Sequence, residues 1–67
     1  MIAAATFELT RDEILSLIED KAQAAGHDLT FVLRQHTAGT FEDFGALAEA
    51  YALCDLLEAD DSAFQAA

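Results

Sequence analysis

The chain has no proline and no tryptophan, one cysteine, three glycines and only three basic side chains, Arg11, Lys21 and Arg34. Each scarcity excludes something. Without proline, no helix is broken from within. With Cys54 as the lone cysteine, an intrachain disulfide is impossible. His27, His36 and Cys54 stand in no close ligand spacing, so neither a metal site nor a cofactor is expected. Three bases against thirteen acids leave a net charge of −10. Such a chain is repelled by nucleic acid and by anionic membranes and attracted to basic protein surfaces. No apolar run approaches the ~18 residues of a membrane span. The opening MIAAATFEL lacks the basic residues of a signal peptide and meets Glu8 early. Together with the free thiol, that sets a cytoplasmic location as the expectation.

What is present is apolar surface and helix punctuation. The hydrophobic fraction of 54% is too high for a disordered chain, though much of it is alanine. Sixty-seven residues make one domain, 1–67, with loose order as one of the alternatives for residues 1–8 and 59–67. A chain of this size buries only about 60% of its unfolded surface, so oligomerisation or a bound partner is a natural reinforcement.

Thr10-Arg11-Asp12-Glu13 forms a capping box, with Leu9 and Ile14 placed for a hydrophobic staple. Ile14, Leu17, Ile18, Ala22 and Ala25 recur at helical spacing, and Gly26 supplies a stop, so the first helix is predicted at about 10–25. Asp28 caps a second helix at about 29–37, ended by Gly39. Thr40, with Asp43 three residues on, is read as the cap of a third helix at about 41–58. Ser62-Ala63-Phe64 then suits either a frayed tail or a short fourth helical turn. The fold class is therefore all-α, a small three-helix bundle. Its predicted core is Leu9, Ile14, Leu17, Ile18, Val32, Leu33, Phe44, Leu47, Tyr51, Cys54 and Leu57.

Two short stretches resemble known families. AQAAGHDLTFVLRQHTAG is similar in spacing to a helix-turn-helix, which would make Leu29–His36 a recognition helix. That helix carries a single Arg34 with Gln35 and His36, whereas reading DNA takes several phosphate contacts, so direct nucleic-acid binding is not expected. FEDFGAL at 41–47 resembles the segment before the attachment serine of acyl carrier proteins, but Leu47-Ala48 follows Gly45-Ala46 where the family has Asp-Ser-Leu. Without that serine the cofactor arm has no attachment point.

Nothing resembles a nucleophile elbow or a Ser-His-Asp arrangement, and Cys54 lies mid-helix on an apolar stripe, so no enzymatic activity is expected. The expectation is a protein that acts by binding: a small acidic inhibitor or adaptor that docks on a basic or nucleic-acid-binding surface of a larger protein. Its carboxylates would imitate phosphates, as phage or mobile-element counter-defence proteins do. The candidate docking residues are Glu19, Asp20, Glu42, Asp43, Glu49, Asp55 and Glu58. The alternative is a helical docking or oligomerisation module, a homodimer included, using the apolar side of the segment FGALAEAYALCDLL, through Leu53, Leu56 and Tyr51.

Overall fold

The structure, a computed structural model, describes residues 9–66. The fold is an all-α domain whose described residues contain no strand. Its helices are α1 (Arg11–Ala24), α2 (Leu29–Ala38), α3 (Phe44–Cys54) and a short α4 (Ser62–Ala66). The first three pack together, and α4 lies on α2.

The caps of α1 and α2 form as their sequences dictate. The Thr10 hydroxyl accepts the Glu13 amide at 3.2 Å, and the Glu13 carboxylate accepts the Thr10 amide at 3.1 Å. Gly26, at φ 84°, ends α1, where the His27 amide donates back to the Ala22 carbonyl at 2.8 Å. The Asp28 carboxylate accepts the Phe31 amide at 2.8 Å and starts α2. Gly39, at φ 72°, stops it.

α3 begins later than the sequence suggests. Thr40 is not its cap but the last residue of the α2 stop: its amide donates to the Gln35 carbonyl at 3.1 Å and its hydroxyl donates to the Gln35 side chain. Phe41 and Asp43 then adopt left-handed conformations, at φ 44° and 54°, and Asp43 occupies the cap position without a side-chain capping bond. The Tyr51 hydroxyl donates to the Glu42 carbonyl at 2.6 Å and ties this loop to α3. The far end also falls short of 58. The amides of Asp55, Leu56 and Leu57 donate to carbonyls three residues back, the tighter 3₁₀ pattern of a closing helix.

Ile14, Ile18 and Ala22 from α1, Val32 and Leu33 from α2, and Leu47, Ala50, Tyr51 and Cys54 from α3 form the core, with Leu57 after α3. Against the predicted core, Leu9 is exposed and Leu17 is half-buried. Phe44 is 58% exposed, whereas Leu47 is fully buried. Phe44 stands at the first helical position of α3, on the flank it shares with Ala48 and Ala52 rather than on the Leu47–Cys54 side. Ala22 and Ala50 take interior places instead, where methyl groups let helices approach closely. The N-terminal segment given loose order as one alternative above lies outside the described residues.

Leu47→Ala is expected to cost about 2–5 kcal/mol in urea denaturation, while Phe44→Ala should cost under about 1 kcal/mol. Comparable losses at the two positions would contradict this division of α3.

Candidate docking surface

The acidic side chains divide by their neighbours. Glu19 and Asp20 are exposed on α1, away from its Ile14–Ile18–Ala22 stripe. Glu42 and Glu58 are exposed in the loops before and after α3. Among the described residues, no ion pair reaches any of these four. The other candidates are engaged. Glu49 meets Lys21 Nζ at 2.7 Å, and this hydrogen bond and charge hold its carboxyl below the usual range. Asp43 Oδ2 lies 3.1 Å from His27 Nε2, and Asp55 Oδ1 lies 2.9 Å from His36 Nε2. Each end of α3 is thus tied by a carboxylate to a histidine.

Those histidines are bound on their faces as well. His27 stacks on Phe31 at 4.0 Å between centroids, and His36 stacks on Phe64 of α4 at 5.2 Å. With Gln35 bonded to Thr40 and His36 to Asp55, only Arg34 of the three polar residues in the helix-turn-helix reading lacks such a contact among the described residues.

Arg11 closes the two ends of the described chain. Its Nε donates to Asp61 Oδ2 at 2.8 Å and its Nη2 to Asp61 Oδ1 at 2.8 Å. Asp61 Oδ1 also accepts the Ala63 amide at 2.8 Å, which starts α4. The Arg11 hydrogen bonds, then the Ala63 amide, lower the Asp61 carboxyl below its ordinary value.

The apolar candidates separate. Leu53 is half-buried and packs on the core, while Leu56 is 58% exposed. Sequence reasoning missed a more prominent apolar feature. Phe41, Phe44 and Tyr51, with Ala48, Ala52 and Asp55, line an open notch of about 330 Å³. Phe41 meets Tyr51 edge-on at 5.1 Å, and Phe44 lies parallel to Tyr51 at 6.1 Å. The signal was the Phe44–Ala48–Ala52 row at four-residue spacing, a second helical stripe beside the Leu47–Tyr51–Cys54 one. Alanine's small size kept it from standing out.

Cys54 is buried, and burial, with the nearby Asp55 charge, pushes its thiol up to about 11. Among the described residues, no group of three His, Cys, Asp or Glu side chains is placed to hold a metal ion. No helix among them is long and apolar enough to cross a membrane. Comparison with protein-family models, with curated proteins and with solved structures finds no match.

Two outcomes follow from these groups. Cys54 is expected to react with a thiol-specific reagent at neutral pH only after denaturant is added; rapid labelling of the native protein would refute its burial. The depressed Asp61 carboxyl contributes stability that is present above the unfolded carboxylate value, about 3.9, and is lost as pH falls through its lower folded value. Acid also relieves the self-repulsion of the net negative chain, so total stability mixes opposing effects. The difference between wild type and Asp61→Asn isolates this group. Their melting temperatures should differ at neutral pH, begin to converge below about pH 4 and meet only once the pH is under the lower folded value; a gap that persists at the lowest pH would show that the charge is irrelevant.

Proposed function

We propose that this protein acts by binding, as a small acidic inhibitor or adaptor that docks on the basic, nucleic-acid-binding surface of a larger protein. The observation that carries the reading is the set Glu19, Asp20, Glu42 and Glu58: exposed carboxylates that no ion pair reaches among the described residues. Glu19 and Asp20 project from a capped helix. Fixed charge of one sign speeds encounter with a surface of the other sign and selects among partners. The net charge of −10 extends the attraction beyond contact range. Glu49 contributes less, because Lys21 already neutralises it.

The mechanism is occupation of a basic cleft in place of nucleic acid, the manner in which a counter-defence protein from a phage or mobile element would block host machinery. No bond is made or broken.

The test is affinity capture from the native host at low and high salt, with duplex DNA as competitor. Captured proteins should be basic, and both salt and DNA should release them, since screening at about 1 M salt shortens the Debye length to about 3 Å. The charge reversal Glu19→Lys with Glu42→Lys should abolish capture. It avoids Asp43, whose carboxylate bonds His27. Capture that ignores salt, DNA and charge reversal would contradict the reading.

A further inference from the structure

The exposed apolar residues are not scattered. Of the four large hydrophobic side chains exposed in the described residues, Phe41 and Phe44 line the notch on α3, Leu56 follows four residues after Ala52, and Leu9 lies apart, ahead of α1. Clustering of this kind marks an interaction site more often than isolated exposure does. Ala48 and Ala52 are among its lining residues, and their small side chains let a partner lie close to the helix axis. A row of small side chains at four-residue spacing, bounded by aromatic rings, has the shape of the groove into which the ridge of another helix fits.

The charges at its rim decide the occupant. Asp55 lines the notch, and its side chain remains 76% exposed while bonded to His36. Glu42 and Asp43 directly precede Phe44 and are exposed. A second copy of this chain would bring the same carboxylates against each other and join two molecules each carrying −10. A basic partner would meet them with opposite charge.

We infer that the Phe41–Phe44–Tyr51 notch on α3 receives a cationic amphipathic helix of the partner, with its apolar face on Phe44, Ala48 and Ala52 and its Lys or Arg residues on Asp55 and Glu42. The inference rests on the docking reading above and names the element of the basic partner that is held. Helix-in-groove recognition supplies the geometry. Steering comes from the carboxylates, and the buried aromatic contact sets the residence time.

The test uses two labelled synthetic peptides of identical leucine and lysine composition, followed by fluorescence anisotropy. In one the leucines lie on a single helical face; in the other they are spread around the helix. The patterned peptide should bind wild type at least about tenfold more tightly than the spread one. Phe44→Ser should remove that preference, and so should Ala52→Arg; both positions are exposed, and circular dichroism confirms that each variant is folded. Glu19→Lys with Asp20→Lys should weaken both peptides by similar factors, because those residues lie on α1. Equal binding of the two peptides, unchanged by Phe44→Ser, would overturn the inference and leave charge-driven docking standing. Failure of both peptides to bind would overturn it too, while the salt and competition experiment judges the wider reading separately. Self-association abolished by Phe44→Ser would give the notch to a second copy and also overturn it.

Discussion

Burial of one side of α3 is the constraint on which the rest of the structure depends. Leu47, Ala50, Tyr51 and Cys54 project from that side into contact with α1 and α2. A chain of this length has little else from which to build a core. The two supporting helices can enclose only part of the circumference of α3. Part of what they leave uncovered is the row of Phe44, Ala48 and Ala52, where the notch lies. The same packing therefore produces both the core and the exposed apolar face.

The acidic residues serve two purposes. Some hold the bundle together at its edges. Asp61 ties α4 to Arg11, Glu49 pairs with Lys21 across α1 and α3, and Asp43 and Asp55 reach the two histidines. Exposed pairs such as Lys21–Glu49 contribute little to stability one at a time, generally under about 1 kcal/mol. Their clearer effect is to position loops. The Asp43–His27 contact and the Tyr51–Glu42 hydrogen bond hold the loop that carries Phe41 and Asp43 in left-handed conformations. Backbone of that kind persists only where its surroundings enforce it. Here the enforced loop places Phe41 edge-on to Tyr51 at the mouth of the notch. Glu19, Asp20, Glu42 and Glu58 are exposed, outside these ion pairs, and contribute to the field of the surface.

Local signals made much of this legible in the sequence. The Thr10–Glu13 capping box, the Asp28 cap and the stops at Gly26 and Gly39 depend on neighbours a few residues away, and each forms. Where a residue had two local uses, the sequence did not show which would win. Thr40 had the type and spacing of a cap, yet the end of α2 claimed it through Gln35. α3 accordingly begins at Phe44, and Phe44, placed in the core by its spacing, lies at the surface. The candidate site was legible in charge but not in arrangement. Nothing local revealed that Glu49 would meet Lys21, or that Phe41 would stand against Tyr51. Such contacts between elements depend on how the helices cross, which residue periodicity does not specify.

The central claim is that α3 has one face in the core and an adjacent apolar face free for a partner. A soluble paramagnetic relaxation agent, monitored by NMR on side-chain protons, tests it most directly. Phe44 and Ala52 should relax strongly, and Leu47, Tyr51 and Cys54 weakly, with the same contrast at every protein concentration. Protection of Phe44 and Ala52 equal to that of Leu47 in the monomer would contradict the account.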